Sequence, residues 1–503
     1  MKPTTASFAP SVAPKPSAPG RTGRRGRGYG GIIRLGLGAS AWGLLILFAL
    51  LTGIVCGGVL FGFLFLRRAP TGDPLFGLPV LLALTGGLAW LAARYFGSPR
   101  RVAWTLGGIA ALLAVVGITW AWAAPDRAIF IARELSWGDS SLADYQKFPE
   151  RSIANAAPVF EFAQHPSPPR IETIAFHSGG ELKQAGFEDF LAASQTTALI
   201  VVQDDALLYE GYFNGYERDS VVTSFSVAKS FVSALVGIAI DEGAIGSVDD
   251  PITRYLPELR GRGLDAVTIR HLLTMSSGIR WQTDDELSPW QEVTQFTDEG
   301  LAYYYPDLRR LALGVQPDGQ PAGTQFTYNN YNLLLLGLIL ERTTQQPVAE
   351  YLQDKLWKPL GMEYPASWSL DSAGSGFEQM GGGINARAID FAKFGQLFLN
   401  QGNWNGIQIV PAEWVAESTA PRPGDDTQWH SYTDWQASGG YYQYLWWGMR
   451  RPDGSYDFMA QGHLGQWIFV SPIDSLVIVR FGLDDGGVDS WVEVFQTISA
   501  KSR

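Results

Sequence analysis

A serine and a lysine stand three residues apart in the stretch SFSVAKSFVSALVGIAIDEG, residues 224–243. Apolar residues recur at helical spacing from Phe225 to Ile240, and Gly243 closes the run as a C-cap would, so a helix is expected over about 225–242. Residues three apart share a helix face, which lets Ser226 and Lys229 touch. At a helix start, free N–H groups and the macrodipole add positive potential. Together with burial, that potential disfavours an ammonium and leaves a neutral amine able to act as a base. The same N–H groups can hold an oxyanion formed when the serine attacks a carbonyl carbon. The bland alternative is a capping serine followed by a lysine whose head reaches solvent. Partners elsewhere in the chain must decide.

Two further groups follow in order. Tyr328-Asn-Asn330 precedes the apolar run NLLLLGLIL. A tyrosine there can relay protons between nucleophile, lysine and leaving group, and Asn330 offers a donor and an acceptor to a substrate amide. Read otherwise, they are a loop tyrosine and a helix-capping asparagine. Tyr212-Phe-Asn214 has the same spacing but lies in a hairpin ahead of the serine, and is set aside. His463-Leu-Gly465 sits between two late strands. Its glycine permits close backbone approach, and the following N–H, of Gln466, can complete an oxyanion hole. Its alternative reading is a plain turn between strands.

The order Ser226-Val-Ala-Lys229, Tyr328-Asn-Asn330, His463-Leu-Gly465 resembles the three motifs of the serine β-lactamase and penicillin-binding protein superfamily, and the Tyr-x-Asn form points to its class C branch. The segments HLLTMSSGI (271–279), PAGTQFTYNN (321–330) and MGGGINARAIDFAKFGQLFLNQG (380–402) are similar to that branch. The text SVAKSFVSALVGIAIDEG looks most like the 6-aminohexanoate-dimer hydrolases, which cleave amides and carboxyl esters. The resemblance covers about 171–503. It implies Ser226 as the acylated nucleophile, Lys229 as its base and Tyr328 as second proton carrier. It further implies an oxyanion hole from the N–H groups of Ser226 and Gln466, with Asn330 against the substrate. His463 departs from the lysine that β-lactamases and peptidases usually carry for a substrate carboxylate. This favours ester or amide hydrolysis over penicillin as substrate. The alternatives are a D-amino-acid peptidase, a class C β-lactamase, or a non-catalytic ligand-binding receptor on the same fold. A lipase-type elbow is excluded, since no serine has glycine two places away on both sides.

These groups need a frame. ALIVVQDDALLYEGYF (198–213) reads as strand, Asp-Asp turn and strand, a hairpin. DFMAQGHLGQWIFVSPIDSLVIVRFG (457–482) alternates apolar runs with turns at Gly462, Gly465 and Pro472-Ile-Asp474, and VDSWVEVFQTISA (488–500) reads as a closing helix. The expected fold is α/β (α+β) and β-lactamase-like. Its antiparallel sheet is assembled from both ends of the domain and flanked by helices, with a helical region inserted between.

Ahead of this domain the chain changes character. Residues 1–125 carry twelve Lys/Arg and one acid, Asp73, whereas 126–503 are strongly acidic, which argues against nucleic acid as partner. Residues 1–38 begin with a Pro-, Ser-, Gly- and Arg-rich stretch, expected to form a disordered basic cytoplasmic tail. Three uncharged apolar runs follow within 39–125, at about 39–66, 75–93 and 102–124. Each approaches or exceeds the roughly 20 residues of a membrane-spanning helix. The Lys/Arg distribution places the tail inside. The expectation is thus a multi-pass anchor in the inner cell membrane, in contact with lipid, with the catalytic domain extracytoplasmic. Residues 126–170 read as a linker and 171–503 as the hydrolase domain. With one cysteine, Cys56, and no HExxH pair among five histidines, neither a disulfide nor a metal site is expected, and no cofactor. The expected partner is a small ester or amide; oligomeric state is not legible.

Overall fold

The computed structural model describes residues 124–166, 171–283, 297–422 and 432–502. Two compact units are distinguished, Lys2–Gly138 and Asp139–Arg503. Of the first, a single described helix, Pro125–Trp137, starts with proline at its first turn, where a missing N–H costs nothing.

The second unit is built on an eight-stranded sheet. Its strands are β1 (Ala163–Gln164), β2 (Thr196–Gln203), β3 (Ala206–Tyr212), β4 (Gly440–Gln443), β5 (Trp446–Arg450), β6 (Tyr456–Gly462), β7 (Gln466–Ser471) and β8 (Leu476–Gly482), in the order β4-β5-β6-β7-β8-β2-β3-β1. All neighbours are antiparallel except β1, which runs parallel to β3. The sheet is therefore assembled from both ends of the domain, as expected. The β2–β3 hairpin turns at Asp204 and Asp205, both with positive φ, as a two-residue turn matched to strand twist requires.

Four helices frame it: α1 (Ala228–Asp241), α2 (Asn330–Thr344), α3 (Ala388–Leu399) and α4 (Trp491–Ser502). Side chains alternate across β7 and β8 and are buried on both faces. Trp467 and Phe469 meet Phe495 of α4, whereas Ile468 and Val477 press on Gly395 of α3, where a Cβ would fall 2.6 Å from Val477. Between the two ends of the sheet the chain is largely helix and loop, and α2 packs on α1.

A second, four-stranded antiparallel sheet runs Glu150–Ile153, Ala366–Ser369, Ile384–Ala386, Val222–Thr223. It sets the two residues before the serine turn beside those following the glycine run Gly381–Gly383. The stretch expected as a linker thus supplies a strand to each sheet, at 150–153 and 163–164. Both are short and polar, with none of the alternation that marks a strand in sequence.

One part of the expected fold is corrected. Among the described residues no helix is long and apolar enough to cross a membrane, so three membrane-spanning helices are not part of the fold found here. Those runs, and the tail 1–38, lie outside the described residues but for Ala124.

Candidate active site

The serine does not sit in the α-helix itself. Phe225–Val227 form a 3-10 turn, and α1 begins at Ala228. The cause lies one residue earlier: Phe225 has φ +44, a strained value for a bulky residue, which tightens the entry. Two glycines accommodate it. A Cβ on Gly382 would fall 3.0 Å from the Phe225 backbone, and one on Gly462 would fall 2.6 Å from the Ser224 carbonyl oxygen and 3.2 Å from Ser226 N. The turn is held from outside by Ser224 N–H, which donates to the Ile384 carbonyl at 2.8 Å.

The spacing from Ser226 to Lys229 survives this shift. Lys229 Nζ lies 2.7 Å from Ser226 Oγ and donates to the Gly381 carbonyl at 2.8 Å. It is 1% exposed. Burial lowers its pKa to about 7, against a smaller upward pull from the Glu299 carboxylate. With one N–H given to Gly381, the lone pair of the neutral amine is free to take the serine proton.

Tyr328 lies above this pair. Its loop is fixed by Thr327 N–H on the Met275 carbonyl (2.7 Å) and by Asn329, whose side chain caps α2 at Tyr331 N and donates to the Ile279 carbonyl. HLLTMSSGI therefore serves as the bed of the tyrosine loop. The Tyr328 hydroxyl is hydrogen bonded to Ser226, and its ring centre is 4.9 Å from Lys229 Nζ. Burial raises its pKa well above the ordinary phenol value; the Ser226 hydrogen bond opposes this and Glu299 reinforces it. The group is a phenol, not a phenolate. Tyr442 and Trp447 wall its ring, Trp447 nearly parallel at 5.6 Å. The aromatic stretch around 440–447 is thus core and wall of the site at once.

Asn330 is not the cap; Asn329 is. Asn330 occupies the first turn of α2 with a buried Oδ1 that has no hydrogen-bond partner, close enough to Gly381 that a Cβ there would stand 3.1 Å from it. An orphaned buried acceptor beside the lysine is suited to a ligand amide.

The His463 ring meets Phe225 edge to face at 5.4 Å, and burial pushes its pKa below the ordinary histidine range. Leu464 and Gly465 both have positive φ, so the chain reverses tightly between β6 and β7. Gln466 is paired with Gly462, whose open α-carbon faces Ser226 N. All seven residues singled out in sequence (Ser226, Lys229, Tyr328, Asn330, His463, Gly465 and Gln466) thus connect to one locale around the serine turn. The sequence marks Gly462 as a turn without tying it to the serine, and does not single out the Gly381 carbonyl, Phe225, Gly382 or Glu299. Among the latter only the run Gly381-Gly-Gly383 carried a visible signal, a backbone that tolerates close approach.

Comparison with known proteins identifies the family of the fold. The profile of the Beta-lactamase family matches residues 186–490. The 6-aminohexanoate-dimer hydrolase of Paenarthrobacter ureafaciens is 28% identical over 307 residues, covering 58% of this chain and 74% of that protein. Esterase EstB of Burkholderia gladioli is 33% identical over 152 residues, 29% of this chain and 38% of its own length. A solved Bacillus anthracis structure, described as a candidate 6-aminohexanoate-dimer hydrolase, shares the fold. Its TM-score is 0.59 at 24% identity, over 72% of this chain and 91% of that one. The chain belongs to the Beta-lactamase family and is a serine hydrolase.

Proposed function

We propose that this serine hydrolase cleaves a carboxyl ester or amide through an acyl-serine intermediate, with Ser226 as nucleophile, Lys229 as base and Tyr328 as proton relay. One observation carries the reading: a buried amine whose pKa is near neutral stands 2.7 Å from a serine hydroxyl. Ser226 Oγ attacks the carbonyl carbon as its proton passes to the Lys229 amine. The resulting oxyanion rests on the N–H groups of Ser226 and Gln466. Collapse expels the alcohol or amine, which takes a proton from the Tyr328 hydroxyl, itself resupplied by the Lys229 ammonium. Water then repeats the cycle on the acyl-serine and restores the free enzyme. The raised pKa of Tyr328 supports the assignment of roles, because a group that holds its proton is a poorer base than the half-neutral Lys229. Asn330 Oδ1 accepts a hydrogen bond from an N–H of an amide substrate.

Specificity follows from charge. A buried histidine kept neutral offers little attraction to a substrate carboxylate, so an uncharged acyl group suits the site better than a penicillin. A fluorophosphonate probe should label the wild type, and labelling should vanish in Ser226→Ala and fall by about a thousandfold in rate in Lys229→Ala. Nitrophenyl ester turnover should follow the labelling. Persistent labelling of Ser226→Ala would end the proposal, and labelling without turnover would favour a receptor.

A further inference from the structure

The loop joining β6 to β7 has its carbonyls held from one side. The Gln466 side-chain amide donates to the carbonyls of His463 (3.1 Å) and Leu464 (2.8 Å), and to that of Gly482 (2.8 Å). The next carbonyl, of Gly465, accepts from Arg480 Nη1 at 2.7 Å. Arg480 is fully buried and stacks 4.0 Å over the Trp491 ring. Its other donors go to the Ser194 and Asp484 carbonyls and to Thr196 Oγ1. Among the described residues no carboxylate forms an ion pair with it. Burial lowers its pKa to about 9, while Asp485 and Asp484 favour the charge from further off, so it stays cationic at neutral pH. Glycine is required on both sides: a Cβ at Gly465 would stand 1.9 Å from Nη1 and one at Gly482 2.4 Å from the guanidinium.

A buried cation without a carboxylate is costly, and an apolar side chain would fill this face of the sheet more cheaply. The guanidinium is compensated by three carbonyls and one hydroxyl, and of these only the Gly465 carbonyl belongs to the β6–β7 turn beside the serine. A peptide unit is planar and trans, so its C=O and N–H point in opposite directions. Fixing the Gly465 oxygen therefore fixes the direction of the Gln466 N–H. A hydrogen bond from a cation also polarises the unit and strengthens its N–H as a donor. We infer that Arg480 is a positioning residue for the reaction: from beneath the sheet it aims and strengthens the Gln466 N–H that receives the oxyanion. This rests on the acyl-serine reading above. Arg480 touches no substrate and acts through the Gly465–Gln466 peptide.

The test combines variants with a structure of the wild type. In Arg480→Met, single-turnover acylation by a nitrophenyl ester should slow by roughly a hundredfold while KM moves less than about threefold. Affinity for phenylboronic acid, which forms a tetrahedral adduct on serine, should fall by the same factor. Arg480→Lys, keeping a cation near the carbonyl, should recover part of both. Arg480→Met, folded by circular dichroism and acylating within threefold of wild type, would overturn the inference, as would a folded Arg480→Lys no faster than Arg480→Met. Should neither variant fold, the wild-type boronate adduct decides. Its oxygen is expected within hydrogen-bond reach of Gln466 N, with Arg480 still on Gly465. An adduct on Ser226 whose oxygens ignore Gln466 N sinks this inference alone, whereas failure to form any adduct on Ser226 sinks the acyl-serine reading and this inference with it.

Discussion

Two lysines lie buried in this domain in near-identical sequence settings, Ser226-Val-Ala-Lys229 and Asp390-Phe-Ala-Lys393, each followed closely by phenylalanine. They are 1% and 0% exposed, and burial lowers both pKa values. The difference is the partner three residues earlier. Lys393 Nζ lies 3.3 Å from the Asp390 carboxylate and 3.6 Å from Glu363, and donates to the Gly361 carbonyl. Lys229 has a hydroxyl and a carbonyl in those places. A buried ammonium with carboxylates at hand is compensated and inert; one without them is held near its neutral form. One residue at one spacing is thus a structural strut in α3 and a candidate base in the first turn of α1, and the neighbour's charge decides which.

Replacing each lysine by methionine should separate the two. Lys229→Met should lower kcat/KM by about a thousandfold or more. Lys393→Met, once folded, should stay within a few-fold of wild type. In thermal unfolding the order should reverse. Lys393→Met leaves Asp390 buried without its cation and Glu363 with Arg218 alone, and should cost about 3–5 kcal/mol. Lys229→Met removes an amine that no carboxylate holds closely and should leave Tm unchanged or raise it. The pH dependence sharpens this point. Between about pH 7 and the ordinary lysine value of 10.5 the unfolded chain binds a proton at Lys229 that the folded chain does not. Wild-type stability relative to Lys229→Met should therefore rise with pH across that window, and parallel curves would contradict the assignment.

Smaller changes probe what surrounds the uncompensated lysine. Tyr328→Phe keeps the ring between Lys229 and Trp447 but removes the hydroxyl, and should slow turnover by about a hundredfold with little change in Tm. A near-normal rate would show that protons bypass Tyr328. Gly462→Ala places a methyl against the Ser224 carbonyl and should cost about tenfold in acylation through displacement of the serine turn, with KM less affected. If the loss falls on KM instead, Gly462 shapes the binding pocket and not the serine turn.

How much of this could be read from sequence follows from where each contact lies along the chain. Ser226 and Lys229 are legible because their relation is local, three residues on one helical face. Tyr328 and the His463–Gln466 loop became legible through the order of motifs and the family resemblance. The same local rule cannot tell Lys229 from Lys393, since i,i+3 spacing says nothing about which lysine later meets Glu363. The Gly381 carbonyl reaches Lys229 only through the pairing of Val222–Thr223 with Ile384–Ala386, a contact between distant segments. Phe225 reads as an ordinary apolar helix position, and its positive φ exists because Gly382 and Gly462 close on it. Arg480 reads as an outlier in LVIVRFG, with no sign of the carbonyl it holds. The hairpin, the late strands and the closing helix were legible because apolar alternation and Gly/Pro/Asp turns mark them. The strands at 150–153 and 163–164 carry neither signal.

The most direct test of the central claim is the pH dependence of Ser226 acylation in single turnover. If Lys229 must be neutral to accept the serine proton, the rate should climb with pH to a plateau, half-maximal near pH 7. The same inflection should persist in Lys393→Met and disappear from the residual rate of Lys229→Met. A rate flat from pH 6 to 9, or an inflection near the ordinary lysine value of 10.5, would contradict the account.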